Sequence, residues 1–289
     1  MMSRLSLVGA LAAAVLFASA PAESASELLT RVEFDSNVNR GITERKSDGA
    51  VSVLLSAERQ PSGESRVEWV YDAAVQAAGY FTYTDLNYLD ISSSVGLLYR
   101  PHALVTVTVR PFASFRGVSD SAQSAVTIGA QASVSEQVSA ALTLTQYYVY
   151  RQAFAREDTY SYGMQSGGLV IAVSPVRNVL AEASYELSYG DSFISPGPGG
   201  PPEHSGRPDK DSGEGNAGGS EQGQKVRFSR AFDQFVIKEK ITLHTLGVRA
   251  QINLAPAWFC AFRYSYGAWT GESGNSSVHL GSFAIIWRF

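Results

Sequence analysis

Cysteine and lysine are almost missing from this chain. The single cysteine, Cys260, cannot close an internal disulfide, so the fold is held by other means. The lysines are Lys46, Lys210, Lys225, Lys238 and Lys240, all in or beside the segments read below as polar connections, while arginine carries the positive charge elsewhere. No long apolar run follows residue 22, which excludes a helical membrane protein. The Gly-rich runs are not followed by Lys-Ser or Lys-Thr, so a phosphate-binding loop is unsupported. No cofactor, metal centre or nucleic-acid partner is expected, and a net charge of -4 excludes nothing by itself.

The first residues set the compartment. Arg4 precedes an apolar run from Leu5 to about Ala18, and small residues lead to Ala20-Pro21-Ala22. This pattern reads as a secretory signal peptide over 1–22, leaving 23–289 as one mature domain. No cysteine follows the cleavage site, so a lipidated N-terminus is not expected.

The mature chain is built of alternating segments, placed near 28–38, 49–59, 66–79, 87–100, 103–116, 124–135, 138–151, 160–174, 177–190, 236–254, 257–269 and 277–289. The spacing predicts an all-β fold of about twelve strands, with ten to fourteen allowed. One set of connections is short: Gln60 to Glu64, Pro101-His102, Glu136-Gln137, Pro175-Val176 and Ala255-Pro256. The other is longer and polar: Asn39 to Asp48, Phe81 to Leu86, Gly117 to Gln123, Gln152 to Thr159, Asp191 to Phe235 and Thr270 to Ser276.

In each segment one face is apolar, as in Val51, Val53 and Leu55, or Leu89, Ile91, Val95, Leu97 and Tyr99. The other face holds Arg31, Glu33, Asp35, Glu58, Glu68, Asp72, Asp90, Arg100, Arg110, Arg116, Arg151, Glu182, Glu186, Arg249, Arg263 and Arg288, eight acids and eight arginines. Successive strand residues point to opposite faces. Alternation alone does not separate a soluble sandwich or lipocalin-like barrel from a barrel turned inside out. The choice rests on aromatics near strand ends, two classes of connection, and the final stretch, where Phe283, Ile285, Trp287 and Phe289 share a face.

That ending resembles the last strand of bacterial outer-membrane β-barrels, and the resemblance extends over the signal peptide and essentially the whole mature chain. Val32 to Arg40, with its aromatic-Asp-Ser-Asn-Val run at Phe34 to Val38, is similar to the first-strand motif of several porin-like or surface-assembly barrels. The resemblance implies a closed antiparallel transmembrane barrel, integral to the outer membrane, with both termini and the short turns periplasmic and the long connections outside. The sixteen charges then face the lumen, because a midplane arginine toward lipid costs roughly 2–4 kcal/mol. Phe283, Ile285, Trp287 and Phe289 become the signal read by the barrel-assembly machinery.

The connection 191–235, with Pro196-Gly-Pro-Gly-Gly-Pro-Pro202 and Gly213 to Gly219, is too rich in Gly, Pro and charge to bury a core and is expected to be a flexible extracellular loop. Asp209 to Glu214 resembles the start of a calcium loop but lacks the glutamate at its twelfth place. Lys225, Arg227, Arg230, Lys238 and Lys240 form a basic cluster near the outer rim that suits lipopolysaccharide phosphates.

For catalysis the candidates are His244 and His279 near the outer edge, with Ser276 and Ser277 beside the latter, while His102 lies in a turn and His204 in the long connection. No third group is evident to orient a base. The expectation is a monomeric, non-enzymatic, narrow porin-like channel for small polar solutes in contact with outer-membrane lipids. The alternatives are a plugged barrel, serving as a display scaffold or as a sheath for a secretion, assembly or electron-transfer partner, and a lipid-modifying hydrolase. N-terminal sequencing of protein recovered from cell envelopes is expected to begin at Glu23; a start at Met1 or Met2 contradicts the signal peptide.

Overall fold

The computed structural model describes residues 24–59, 61–63, 65–196, 226–229, 231–232 and 234–289. The proposed signal peptide and most of the 191–235 connection, including His204 and the calcium-like stretch, lie outside the described residues.

The strands are β1 (Ser24–Asp35), β2 (Asp48–Arg59), β3 (Val67–Tyr80), β4 (Tyr88–His102), β5 (Val105–Val118), β6 (Ala125–Ser139), β7 (Leu142–Ala155), β8 (Tyr162–Val176), β9 (Val179–Ile194), β10 (Val226–Ser229), β11 (Gln234–Ala255), β12 (Trp258–Gly271) and β13 (Gly274–Arg288). Each pairs antiparallel with its neighbour, β13 returns to β1, and β11 pairs with β9. The result is a closed barrel of twelve strands, with β10 a short extra strand on the upper end of β11. Closure pairs each of the twelve barrel strands on both sides, which an apolar surrounding demands of the backbone. No helix among the described residues is long and apolar enough to cross a membrane.

Pro101 and Pro175 mark where strands irregularise, whereas Pro256 lies in a turn. The register slips between Tyr99 and His102, Val173 and Val176, and Asn253 and Ala255, and the two-residue turns follow at 103–104, 177–178 and 256–257. Pro101 and Pro175 sit inside such bulges, where a missing N–H breaks no ladder bond. The turns expected at Pro101-His102, Pro175-Val176 and Glu136-Gln137 are therefore strand. Thr270 to Ser276, expected as a long polar loop, is a two-residue turn at 272–273 that lets β12 and β13 rise high on one side. Likewise β9 runs on to Ile194 and β11 begins at Gln234, so both ends of the 191–235 connection are strand.

The outward face is apolar along its length: Val53, Ile91, Val95, Leu97, Val109, Ile128, Leu246 and Val248 are all exposed. Exposed aromatics gather toward two levels. Trp69, Tyr99, Trp258, Trp287 and Phe289 lie toward the short turns, and Phe34, Phe81, Phe115, Phe154 and Tyr189 toward the long connections. This is the pattern of a lipid-bathed wall with interfacial girdles. Phe283, Ile285, Trp287 and Phe289 belong to it, and Trp258 stacks on Trp287 with ring centroids 6.0 Å apart. In lipid vesicles Val95→Arg, on the outward face midway along β4, is expected to lower unfolding free energy by about 2–4 kcal/mol, against less than about 1 kcal/mol for the inward Gln131→Arg. Equal costs in denaturant titrations contradict this sidedness.

Candidate pore and its outer mouth

Register propagates sidedness from strand to strand. Arg31 lies opposite Ser52, Asp72 opposite Glu58 and Ser94, Asp90 opposite Arg116, Arg151 opposite Met164, Glu182 opposite Arg249, and Arg249 opposite Arg263. Following these ladders places all sixteen charges named above on the inward face.

Six ion pairs hold most of them: Arg31–Glu33 at 3.6 Å, Arg100–Glu68, Arg110–Asp72 at 3.4 Å, Arg116–Asp90 at 2.9 Å, Arg249–Glu182 at 3.5 Å and Arg288–Glu27. Every pair joins residues of one strand, of neighbouring strands or of next-nearest strands. The charges therefore lie along the wall and do not bridge the bore. Glu186 accepts from the Tyr147 hydroxyl at 2.7 Å and from Ser188 at 2.9 Å. Arg151 and Arg263 have no carboxylate at ion-pair distance among the described residues.

Two cavities lie inside the barrel. The one toward the long connections, called the outer chamber, is about 690 Å³ and is lined among others by Arg40, Tyr88, Asp90, Arg116, Arg151 and Tyr162. The inner one, about 530 Å³, is lined by Glu27, Glu58, Asp72 and Arg110 with small residues of β2 to β4. Ser92, Phe112 and Val149 belong to both and mark the waist. The Phe112 ring lies where a side chain on Gly129 would stand: a Cβ there would fall 2.4 Å from the ring, so glycine on β6 makes the close approach possible. The outer chamber carries Arg40, Arg116 and Arg151 against Asp35 and Asp90, the inner one a single arginine against three acids.

The aromatic-Asp-Ser-Asn-Val run has a structural task. β1 stops at Asp35 rather than continuing to Val38, because the Asp35 carboxylate accepts from the Asn37 backbone N–H at 2.7 Å and turns the chain inward. Asn37 is buried; its amide oxygen accepts from the Gly41 N–H at 2.7 Å, and its amide nitrogen donates to the Gly41 carbonyl, the Ser276 hydroxyl and the Ser277 carbonyl. Asn39, also buried, donates to the Glu44 carbonyl and to Gln234, and accepts from the Lys46 N–H. The connection 36–47 is thus pinned to the tall wall of β11 to β13, where Ile42 packs against the buried cluster of Ile194, Ile237, Ile241 and Trp269. Between the two asparagine-held turns Arg40 has φ +51, a conformation that costs a non-glycine residue of order 1 kcal/mol, and its side chain lines the outer chamber.

Above the chamber the other connections close in. Leu86, Ala122, Tyr160, Ala231, Phe232 and Val236 form a buried apolar cluster drawn from four connections and the top of β11, with Phe232 only 1% exposed. Tyr83 and Phe193 pack against it, and Lys46 donates to the Phe232 carbonyl. Gly190, at φ +151, lets β9 pass so close to β8 that a Cβ would lie 2.1 Å from the Gly163 carbonyl oxygen.

The histidines stand apart. His244 on β11 and His279 on β13 face outward with β12 between them, and each Nδ1 meets a tyrosine hydroxyl, Tyr185 at 2.9 Å and Tyr264 at 2.8 Å. Ser276 donates to the Gly41 carbonyl and Ser277 accepts from Arg45, so neither meets His279. His102 is exposed at a short turn. No cluster of metal-ligating side chains is present among the described residues.

Of the basic rim residues, Lys238 and Lys240 keep the outward parity of β11 above the last girdle positions, and Lys238 pairs with Asp191 at 3.6 Å. Lys225 and Arg230, and the side chain of Arg227, lie outside the described residues. Sequence reading missed Glu27, which continues the inward parity of Arg31 by two steps of two, and Arg40, whose position follows from the turn at Asp35 and not from alternation. It also missed the inward aromatics Tyr80, Tyr88, Phe112, Tyr147 and Tyr162. Asn37→Ala removes one acceptor and the donors to three groups, and is expected to lower stability by about 1–3 kcal/mol in denaturant titrations. Faster hydrogen exchange at the Gly41 amide is expected alongside; unchanged exchange contradicts the anchoring role.

No protein-family model and no curated protein sequence matches the chain. Solved structures do. The chain is similar to the COG4313 outer membrane channel from Pseudomonas putida F1, with a TM-score of 0.58 at 7% identity over 94% of this chain and 97% of that one. It is also similar to the NanC porin, with a TM-score of 0.50 at 10% identity over 91% of this chain and 100% of that one. At such identities the likeness is one of fold: this chain has the closed-barrel architecture of outer-membrane porins and channels.

Proposed function

We propose that the protein is a monomeric outer-membrane channel that passes small polar solutes through a narrow, ion-paired bore, with both termini and the short turns in the periplasm. The observation that carries this reading is the pair of chambers meeting at Ser92, Phe112 and Val149, inside a wall whose ion pairs run along the surface and leave the bore uncrossed. A barrel of this size falls between eight-stranded ones, filled by side chains, and wide porins of sixteen or more strands. The channels whose fold it shares make transport the natural use of such a bore.

The aromatic outward edge of β13 is the element the barrel-assembly machinery would read. Lys238 and Lys240, with Lys225, Arg227 and Arg230, are the contacts we assign to lipopolysaccharide phosphates. No catalytic step is assigned, because the outward histidines bond tyrosines instead of serines.

The apolar cluster around Phe232 favours a second reading, a barrel closed at its outer end that serves as a scaffold. Planar-bilayer recording separates the two. The channel reading expects discrete conductance steps that grow in Phe232→Ala; silent bilayers for both proteins overturn it. The axial charge asymmetry also predicts rectification at 0.1 M salt that fades at 1 M, where the screening length falls from about 10 Å to about 3 Å.

A further inference from the structure

We propose that the outer chamber binds small aromatic carboxylates, an inference that rests on the channel reading for its physiological sense and names the solute class that reading leaves open. The argument begins with charge left unmatched. The Arg151 Nε is enclosed without an acceptor, its Nη2 meets only the Met164 sulfur at 3.5 Å, and no carboxylate of the described residues stands at ion-pair distance. Arg40 differs in having the Asp35 carboxylate as an attracting neighbour. It donates to the Ser192 hydroxyl and lies over the Phe193 ring at 5.1 Å, while the neighbouring Asp35 carboxylate accepts from the Asn37 backbone.

Arg40 and Arg151 line the same chamber. Asp35 attracts Arg40, while Arg151 has no carboxylate at ion-pair distance among the described residues, so an anion entering there supplies a charge that the wall lacks. The planar fork of each is shaped for a carboxylate, which it can hold through two parallel N–H···O bonds. Arg116, the third guanidinium, is already matched to Asp90 and stacked over Tyr88 at 4.5 Å, so it serves as wall and not as receptor.

The surroundings describe the rest of the ligand. The chamber wall mixes aromatic groups, among them Phe193, Tyr162 and Trp269, with polar ones such as Asn37 and Ser192; Phe193 lies beneath Arg40 and Met164 meets Arg151. An aromatic ring beside the guanidiniums gains by stacking and burial on these surfaces. About 690 Å³ lies within the range of ordinary small-molecule sites. Below the waist Arg110 is matched to Asp72 and Arg288 to Glu27, so neither guanidinium there is open to a carboxylate.

The test is isothermal titration calorimetry on the refolded mature protein in detergent micelles, with benzoate, glucuronate and benzylamine as probes. Folding of each variant is checked by its heat-dependent gel mobility. Benzoate is expected to bind, glucuronate and benzylamine at least tenfold more weakly, and Arg151→Gln and Arg40→Gln each to weaken benzoate at least tenfold. The proposal is overturned if wild-type protein ignores benzoate at millimolar concentration, if it binds glucuronate equally well, or if both folded variants bind undiminished. The comparison among the three probes decides the matter on wild-type protein alone should either variant fail to fold. Bilayer recording of the same preparation keeps the two ideas apart: conductance without benzoate binding removes the site and leaves the channel, and binding with silent bilayers does the reverse.

Discussion

Closure is the constraint on which everything else in this molecule depends. A strand bathed in acyl chains has no water to satisfy its N–H and C=O groups, so both of its edges must be paired. The pairing of β13 with β1 and of β9 with β11 meets that demand, and it does so although the connection between β9 and β11 is by far the longest in the chain. The pleat then leaves no freedom in side-chain direction. Once Phe283, Ile285, Trp287 and Phe289 face lipid, Ser282, Ala284, Ile286 and Arg288 must face in, and the ladder carries that choice around the barrel.

Inversion of the usual faces changes what charge is for. In a soluble protein sixteen ionic side chains on one face would be a solvated surface; here the same face is the inside. An arginine inside a narrow barrel loses part of its hydration, and neighbouring carboxylates restore the balance at short range. That is why the pairs run between adjacent or next-adjacent strands, Arg116 with Asp90 and Arg249 with Glu182, and not across the bore. A pair spanning the bore would close it. Pairs along the wall neutralise the field and leave room.

Strand faces were legible because period two is a strong signal and because a single anchor, the aromatic last strand, decides inside from outside for all of them. Other features were not, each for a local reason. The end of β1 is set by one hydrogen bond from Asn37 to the Asp35 side chain, which alternation does not foresee, and Arg40 was hidden with it. Proline and polar residues such as Pro101 and Glu136 read as turns, yet a bulge lets them stay in the strand. Thr270 to Ser276 is polar enough to resemble a loop, but its strands are held high by contacts from the 36–47 connection, a long-range effect. Inward aromatics were invisible because Tyr and Phe suit an interfacial girdle as well as they suit a cavity, and only register separates Phe112 from Phe115.

The two levels of the bore follow from two kinds of interaction. The lower part is the barrel proper, in which strand geometry fixes the diameter and small residues such as Ser92, Ser94 and Ala74 keep it open. The upper part is narrowed by connections, and those connections are held by side-chain amides and by apolar packing around Phe232. Backbone ladders are lost only when strands part, whereas a cluster of six buried apolar residues and a few amide bonds opens at far lower free energy. The mouth is therefore the more weakly held level and the waist at Phe112 the firmer one. A solute that settles beside Arg40 and Arg151 meets a site of which one half, Arg151 on β7, is fixed by strand ladders, and the other, Arg40 on the 36–47 connection, by side-chain amides.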